Sequence, residues 1–153
     1  MIDEAAFGAG CFWGVEDRFM QIKGVTETEV GFMGGHTKNA DYGDVSGGDT
    51  GHAETVHLKY DPGEVSYVDL LDAFWKMHNP TTPNREGPDV GSQYRSIIFY
   101  YTEEQRELAE KSKKEQQVKY GDRKVVTEIM PAGEFWRADE HHQKYHQKHG
   151  KVC

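Results

Sequence analysis

The stretch ETVHLKY, residues 54–60, alternates between apolar and polar side chains and decides how the rest of the chain is arranged. Val56, Leu58 and Tyr60 occupy every second position, which predicts a β-strand with one apolar face. Counting back by two places Glu54 on that same face. A carboxyl group in apolar surroundings has a raised pKa and can serve as a general acid near neutral pH. A register shift of one residue would instead turn Glu54 towards water.

Strands and helices alternate on both sides of this strand. The predicted strands cover residues 4–8, 25–34, 54–60, 94–101 and 124–130, and the predicted helices begin after Cys11, Ser66 and Thr102. Ser66 is a helix-capping residue, and Thr102 with Gln105 predicts a capping box. This order favours one α+β domain over residues 1–153 with an antiparallel or mixed sheet. We expect a two-layer sandwich with a ferredoxin-like βαββαβ core, an extra helix and strand, and a mobile C-terminal tail over about 147–153.

The composition argues against several classes of protein. The 153 residues carry a formal net charge of −8, whereas nucleic acids and anionic membrane surfaces attract basic proteins. The longest apolar and aromatic run, IIFYY at 97–101, is too short to span a membrane. The amino terminus, MIDEAAFGAG, carries acids where a signal peptide needs positive charge. We therefore expect a soluble, cytoplasmic protein that binds neither nucleic acid nor membranes.

The segment GAGCFWG, residues 8–14, places Cys11 between the end of a strand and the first turn of a helix. Glycines allow a tight bend there, and the helix N-terminus lowers the pKa of a thiol beside it. Cys11 is therefore either a reactive thiolate or a buried, inert cysteine. The chain has only two cysteines, Cys11 and Cys153, which favours reactive or redox thiols over a disulfide framework.

Five further side chains are candidate site residues. Phe12 belongs to the apolar stripe of the first helix, whereas Trp13 lies off that stripe and can either line a small apolar pocket or pack on a loop. Tyr42 lies in a polar, glycine-rich loop. Asp89 ends a long loop punctuated by prolines, and Tyr94 follows at the start of the next predicted strand. Long loops often carry function, although each of these three could also be an ordinary surface residue.

Four segments resemble the motifs of one family in the order in which that family carries them. They are GCFWG at 10–14, TGHAETV at 50–56, HNPTTPNREGPDVGSQYRSIIFYY at 78–101 and FWRADEHHQKYH at 135–146. Together they are similar to the A-type peptide methionine sulfoxide reductases, over nearly the whole chain. The resemblance implies reduction of the S epimer of methionine sulfoxide, a reversible form of oxidised methionine. It also implies an α+β sandwich around a ferredoxin-like core.

The resemblance implies a role for each matching polar residue. Cys11 would be the nucleophile, and Glu54 would be the acid that protonates the sulfoxide oxygen. Tyr42 and Tyr94 would donate hydrogen bonds to that oxygen, and Asp89 would support the polar side of the site through water. Protonating the oxygen makes the sulfur electrophilic, which is why the chemistry needs an un-ionised carboxyl group and phenols.

The resemblance also implies how the substrate is held and how the enzyme is recycled. Phe12 and Trp13 would hold the methyl group of the substrate. Cys153 would be the resolving cysteine, forming a disulfide with the oxidised nucleophile that thioredoxin then reduces. Many relatives carry a cysteine at the position of Ser46, so Cys11–Cys153 is the only intramolecular disulfide implied here. No metal, flavin or nucleotide cofactor is expected.

Two other functions remain open at the level of sequence. A cysteine hydrolase would need a histidine base beside the nucleophile, for which His52 is the best candidate. A zinc-binding module could use His142, His146 and His149, which would line one face of a helix close to Cys153. Neither paired cysteines nor an H-E-x-x-H pattern accompanies these histidines.

Overall fold

The strands and helices follow the predicted order. The computed structural model describes residues 2–35, 51–87, 89–145 and 148. The strands are β1 (Asp3–Ala9), β2 (Val25–Met33), β3 (Ala53–Tyr60), β4 (Arg85–Glu86), β5 (Asp89–Val90), β6 (Ser96–Tyr100), β7 (Glu128–Pro131) and β8 (Trp136–Arg137). The helices are α1 (Phe12–Met20), α2 (Tyr67–Met77) and α3 (Glu103–Tyr120), with 3-10 helices over Ser92–Tyr94 and Glu140–His142. Within the described ranges, no helix is both long enough and apolar enough to cross a membrane.

Six of the strands form one mixed sheet in the order β7-β6-β1-β3-β2-β8. All pairs in this sheet are antiparallel except β6 and β7, which run parallel. The register places Phe7 of β1 between Val56 of β3 and Ile98 of β6. The predicted α+β class and the mixed sheet are confirmed. The sequence did not predict β4, β5 and β8, because two residues are too few for an alternating pattern to show.

The predicted strand over 94–101 begins later than expected, at Ser96. A 3-10 helix, Ser92–Tyr94, comes before it, and the N–H of Tyr94 donates to the carbonyl of Gly91 over 3.0 Å. Tyr94 therefore lies in a tight turn at the entrance to β6. A turn of this kind has no periodicity that separates it from the strand that follows.

The capping box predicted at the start of α3 is only half formed. The Thr102 hydroxyl accepts the N–H of Gln105 over 3.1 Å, but the Gln105 side chain accepts the N–H of Tyr101 instead of that of Thr102. The last predicted strand, over 124–130, is also shorter than expected and covers only Glu128–Pro131.

The helices α1 and α2 cover one face of the sheet because each carries an apolar stripe. The ring of Phe7 lies 5.2 Å from that of Phe19 on α1 and 5.2 Å from that of Phe74 on α2. All three side chains are fully buried. Burying a side chain of this size contributes about 1.5–3 kcal/mol to folding. This packing fixes the direction in which α1 leaves the sheet, and with it the position of Cys11.

The opposite face of the sheet is covered as well. Thr55, on that face, is completely buried, and its hydroxyl donates to the carbonyl of Ala53 over 2.8 Å. A second, smaller core is covered by Tyr101, Met130, Ala132 and Phe135. Its buried members are Ala6, Met33, Ala53, Ile97 and Phe99.

The C-terminal segment returns along β2 to the side of the sheet that carries α1. Gly31 makes the approach possible, because a Cβ atom there would lie 2.4 Å from the carbonyl oxygen of Trp136. The Gln143 side chain then accepts the N–H of Val30 over 2.8 Å and donates to the carbonyl oxygens of Val30 and Ala138. Gln143 thus continues the pairing with β2 through its side chain.

Candidate active site at the start of the first helix

Cys11 lies at the junction between β1 and α1, as the glycines of the sequence predict. It is the N-cap residue of α1, is half-buried, and its carbonyl accepts the N–H of Val15 over 3.4 Å. The first N–H groups of a helix have no carbonyl partner within the helix, and their partial positive charge favours an anion beside them. This position can stabilise a thiolate at Cys11.

The turn before Cys11 requires a glycine. Gly10 has a φ of +99°, and a Cβ atom there would lie 2.8 Å from Cγ and 2.9 Å from Cβ of Glu86. The Glu86 side chain therefore covers the backbone immediately before Cys11. Sequence reasoning missed Glu86, because a contact between residues so far apart in the chain leaves no local pattern. The only available signal was its position three residues before Asp89.

Glu54 lies on the buried face of β3, as its place in the alternating stretch predicts. Its side chain is only 2% exposed, and Oε1 accepts the backbone N–H of Phe12 over 3.1 Å. Phe12 follows Cys11 directly, so the carboxyl group is fixed at the start of the helix that carries the thiol. A protonated carboxyl group can accept this bond through its carbonyl oxygen while its hydroxyl oxygen keeps the proton.

Phe12 and Trp13 form an aromatic wall with two residues of the C-terminal segment. The indole Nε1–H of Trp13 donates to Nδ1 of His142 over 3.1 Å, and the ring of Tyr145 stacks on Trp13 with centroids 3.9 Å apart. Phe12 is buried, and its ring lies 5.9 Å from that of His142. The sequence did not identify His142 and Tyr145 as neighbours of the site, because their position depends on the return of the C-terminal segment along β2.

The bond to Trp13 gives His142 a role different from that of a zinc ligand. An indole N–H can only donate, so Nδ1 of His142 accepts, and a neutral ring carries its proton on Nε2. Among the residues that the structure describes, no group of three or more His, Cys, Asp or Glu side chains could hold a metal ion. The other members of the predicted zinc site, His146, His149 and Cys153, lie outside those residues.

The loop before β6 brings Asp89 and Tyr94 to the same side of the sheet. Asp89 pairs with Glu86 in the β4–β5 hairpin, and the 3-10 helix that ends at Tyr94 packs against β3, the strand of Glu54. Both Asp89 and Tyr94 are half-buried. Tyr94 and Asp89 are thus close to the elements that carry Glu54 and Gly10.

Glu86 is held by its neighbours at a defined position beside this loop. Its Oε2 accepts the backbone N–H of Asn79 over 2.9 Å. The pKa of Glu86 is raised, mainly because partial burial disfavours the charged form; the Asn79 N–H and Arg18 lower it, and Asp89 raises it. The site therefore contains a second carboxyl group whose protonation responds to its surroundings.

The remaining sequence predictions concern His52, Tyr42 and Cys153. His52 is buried, and its Nδ1 accepts the backbone N–H of Gly35 over 3.0 Å. That bond engages one ring nitrogen with the end of β2. Tyr42 and Cys153 lie outside the described residues, so their predicted roles stay predictions.

A thiol at a helix N-terminus, beside a carboxyl group bonded to the next amide, defines a thiol-based catalytic site. The family model for peptide methionine sulfoxide reductase matches residues 3–153. A peptide methionine sulfoxide reductase of Methanoculleus marisnigri is 58% identical over 151 residues, which cover 97% of this chain and 92% of the relative. The chain therefore belongs to the peptide methionine sulfoxide reductase family.

Solved structures agree with this assignment. Mxr1 from Saccharomyces cerevisiae in its reduced form superimposes with a TM-score of 0.93 at 32% identity, covering 99% of this chain and 88% of Mxr1. Mxr1 has also been solved in complex with Trx2; that structure matches with a TM-score of 0.68 at 23% identity, covering 99% of this chain and 86% of that chain. The α+β fold of this chain is therefore shared with Mxr1.

Proposed function

We propose that the protein reduces methionine S-sulfoxide, free or in proteins, to methionine, with Cys11 as nucleophile and Glu54 as acid. The observation that carries this proposal is the 3.1 Å bond between Oε1 of Glu54 and the N–H of Phe12, the residue after Cys11. It fixes an acid and a nucleophile at the same helix N-terminus. Membership of the family supports the reaction, and the geometry supports the roles of these two residues.

The proposed reaction starts from the ability of the site to make the sulfoxide sulfur electrophilic. Glu54 gives its proton to the sulfoxide oxygen, and Tyr42 and Tyr94 donate hydrogen bonds to it. The Cys11 thiolate attacks the substrate sulfur. The protonated oxygen then passes to the Cys11 sulfur, and the bonds that joined the substrate sulfur to this oxygen and to Cys11 break as methionine leaves. The substrate sulfur is reduced by two electrons and the Cys11 sulfur is oxidised by two, leaving methionine and a protonated sulfenic acid.

The aromatic wall gives this reaction its specificity for a methyl sulfide. Phe12 and Trp13 would hold the methyl group, while Asp89 would support the polar side of the site through water. The stacking of Tyr145 and the hydrogen bond to His142 fix the plane of the Trp13 ring. A rigid apolar wall opposite hydrogen-bond donors allows only one epimer to present its oxygen to the donors.

Recycling of the sulfenic acid is assigned to Cys153 and thioredoxin. Cys153 would attack the oxidised Cys11 sulfur, forming a disulfide and releasing water, and thioredoxin would reduce that disulfide by exchange. Tyr145 contacts Trp13, and the eight residues that follow it span about 27 Å when extended, which is enough for Cys153 to return to Cys11. The complex of Mxr1 with Trx2 supports a thioredoxin as the partner.

The organisation of the chain around this reaction is also part of the proposal. We infer that the chain is a single domain over residues 1–153, with a ferredoxin-like βαββαβ core built from β1, α1, β2, β3, α2 and β6. The position of β3 between β1 and β2 supports this description. We expect the protein to work in the cytoplasm, where thioredoxin keeps thiols reduced.

The test of the proposed activity is turnover of resolved sulfoxide epimers with thioredoxin and its reductase. We expect the S epimer to be consumed and the R epimer to remain. Methionine should be the only product, because no acyl group is transferred, which distinguishes the reaction from that of a cysteine hydrolase. Equal consumption of both epimers, or of neither, would contradict the proposal.

The recycling step has its own test in the variant Cys153→Ser. It should still form about one methionine per enzyme in a single turnover, because attack on the sulfoxide precedes resolution. Steady turnover with thioredoxin should collapse, because thioredoxin reduces disulfides and the variant cannot form one internally. The control is Val152→Ser, which alters the neighbouring residue and keeps the thiol. Normal thioredoxin turnover in Cys153→Ser would remove Cys153 from the mechanism.

A further inference from the structure

Glu86 is a carboxyl-bearing residue beside the backbone that precedes Cys11, and the proposed mechanism does not use it. Its Cγ and Cβ atoms occupy the space that a side chain at residue 10 would fill. The backbone that turns from β1 into α1 therefore rests on the Glu86 side chain. On the other side of Cys11, the next amide is bonded to Glu54. The nucleophile thus lies between two contacts made by glutamate side chains.

Two contacts fix the position of Glu86, and a cation lies on the same side. The N–H of Asn79 donates to its Oε2, and the β4–β5 hairpin aligns it with Asp89. Arg18 of α1 donates from Nη1 to the carbonyl of Met77 over 2.6 Å, two residues before Asn79, which places its positive charge on the same side. A side chain held in this way keeps a constant distance to Cys11.

We propose that Glu86 is a positioning residue for Cys11, whose side chain holds the Gly10–Cys11 turn and whose carboxylate sets the pH range in which the thiol reacts. This inference rests on the proposed role of Cys11 as the nucleophile. Glu86 does not contact the substrate in this proposal and transfers no proton. It acts on the reaction only through Cys11.

The electrostatic part of the proposal follows from the charges that surround the thiol. The N-terminus of α1 favours the thiolate, whereas the negative charges of ionised Glu86 and Asp89 disfavour it. The cation of Arg18 acts on Glu86, whose pKa it lowers. Glu54 lies at the start of α1, and His142 lies against the ring of Phe12. Of the two acids that oppose the thiolate, Glu86 is the one in contact with the backbone beside it. A like charge beside a half-buried thiol disfavours its thiolate form.

The opposing effect of the Glu86 charge on the thiol has a chemical use. A thiol with a very low pKa is fully ionised but is a weaker nucleophile, and the best attacking thiol has a pKa near the ambient pH. The helix N-terminus alone would favour the thiolate of Cys11. The Glu86 carboxylate opposes this effect and keeps the thiol close to the range in which ionisation and nucleophilicity are balanced.

The test is the pH dependence of Cys11 alkylation by iodoacetamide in the full-length chain. The rate is followed from pH 5 to 9 by mass spectrometry of the peptide that contains Cys11, so labelling of Cys153 does not interfere. The variants are Glu86→Gln, Glu86→Ala and Glu86→Asp. Glu115→Gln is the matched control. Glu115 is exposed on α3, so this substitution removes the same negative charge at a position away from the site.

We expect Glu86→Gln to lower the midpoint of alkylation by about 0.5–1 pH unit, with a rate about three to ten times that of the wild type below the midpoint. Glutamine can still accept the Asn79 N–H, so the turn should be preserved. Glu86→Ala should lower the midpoint by a similar amount, while Glu86→Asp, which keeps the charge, should stay near the wild-type value. Glu115→Gln should not move it.

Two results would overturn the proposal. A Glu86→Gln midpoint equal to that of Glu115→Gln would show that the carboxylate does not act on the thiol. A midpoint that moves in Glu86→Ala but not in Glu86→Gln would show that the Glu86 side chain acts by packing and not by its charge. Should glutamine prevent folding, the comparison of Glu86→Ala with Glu86→Asp decides the question in the same way. None of these readings requires sulfoxide reduction, so a failure of the proposed activity would be detected separately by the epimer assay.

Discussion

Two buried glutamates lie at α1: Glu54 of β3 contacts the start of the helix and Glu16 belongs to its middle. The two differ in what surrounds them. Glu54, 2% exposed, accepts one backbone N–H beside the nucleophile. Glu16, which is not exposed at all, accepts the hydroxyl of Thr28 over 2.8 Å and the N–H of Lys144 over 2.6 Å. The ammonium group of Lys144 lies 3.9 Å from the same carboxyl group.

The comparison teaches that burial alone does not separate the carboxyl group proposed as the catalytic acid from a structural one. Both glutamates are desolvated, which would be costly without partners. Glu16 has a donor for each oxygen and a cation nearby, so its partners tie α1 to β2 and to the C-terminal segment. The described bond of Glu54 is to the amide that follows the thiol. The set of partners, and not the exposed fraction, therefore predicts which variant loses activity and which loses stability.

The largest effect is expected for Cys11→Ser, which leaves both carboxyl groups in place. A hydroxyl group is a far weaker nucleophile than a thiolate, so single-turnover formation of methionine should fall at least about a thousandfold, or about 4 kcal/mol in the barrier. Rapid-quench measurement of methionine gives the rate. Retention of even about a tenth of the activity, a loss of about 1.4 kcal/mol, is incompatible with Cys11 as the nucleophile.

Glu54→Gln is expected to have the next largest effect on chemistry and little effect on folding. Glutamine can accept the Phe12 N–H and donate a hydrogen bond to the sulfoxide, but it cannot transfer a proton. The rate should fall about a hundredfold, as for loss of a general acid, and the alkaline limb of the pH–rate profile should flatten. The free energy of unfolding should stay within about 1 kcal/mol of the wild type, because the bond to Phe12 is retained. An unchanged rate and profile would assign the acid role to another group.

The sequence was sufficient to find Glu54 and Cys11, because each belongs to a local pattern. Strand alternation gave the direction of Glu54, and the glycines before an apolar helical stripe gave the position of Cys11. Glu16 also had a local signal, since it lies four residues after Phe12 and three before Phe19 on the buried side of the helix.

Other parts of the site could not be predicted in this way. The contact of Glu86 with Gly10 and that of Tyr145 with Trp13 join segments that are distant in the chain. They depend on the β4–β5 hairpin, whose strands have two residues each, and on the course of the C-terminal segment along β2. Neither of those features has a periodic pattern, and both are determined by tertiary packing.

Glu16→Ala should show the opposite pattern to Glu54→Gln, with a large loss of stability and a small change in reaction rate. The variant leaves the Thr28 hydroxyl and the Lys144 N–H without their partner, so we expect a loss of about 2–3 kcal/mol in the free energy of unfolding. The maximal rate per folded molecule should change by less than about threefold, because no group that touches the substrate is removed. Urea denaturation and single-turnover rates measure the two quantities on the same preparation.

Glu16→Gln is the matched control, since its carbonyl oxygen preserves one of the two hydrogen bonds. Its stability should lie between that of the wild type and that of Glu16→Ala. A hundredfold loss of rate in a folded Glu16→Gln variant would erase the distinction between the two glutamates. Equal losses of stability in Glu16→Ala and Glu54→Gln would likewise contradict the distinction between the two glutamates.

His78 extends the comparison to a half-buried group whose partners fix its tautomer. Its Nδ1 lies 2.9 Å from the carbonyl oxygen of Phe74 and its Nε2 lies 2.6 Å from the hydroxyl of Ser96, which in turn contacts that of Thr127 over 2.7 Å. A carbonyl oxygen only accepts, so Nδ1 carries the proton and the neutral Nε2 accepts from Ser96. Burial lowers the pKa of His78 from 6.5 to about 4. The Phe74 carbonyl partly opposes this shift, and Arg18 adds to it.

The smallest effect follows from this lowered pKa and concerns stability alone. The folded protein binds the His78 proton less well than the unfolded chain, so its contribution is complete above about pH 6.5 and is lost as the pH falls from there towards 4. Between pH 7 and 5.5 the loss should be about 1 kcal/mol, or about 2–4 °C in Tm. Other titrating groups contribute over the same range, so the quantity to measure is the difference between the wild type and His78→Gln. Glutamine does not titrate, and the wild type should therefore lose about 1 kcal/mol more than the variant as the pH is lowered. Parallel stability curves for the two proteins would mean that the folded and unfolded states bind this proton equally, and that the burial of His78 does not determine its protonation.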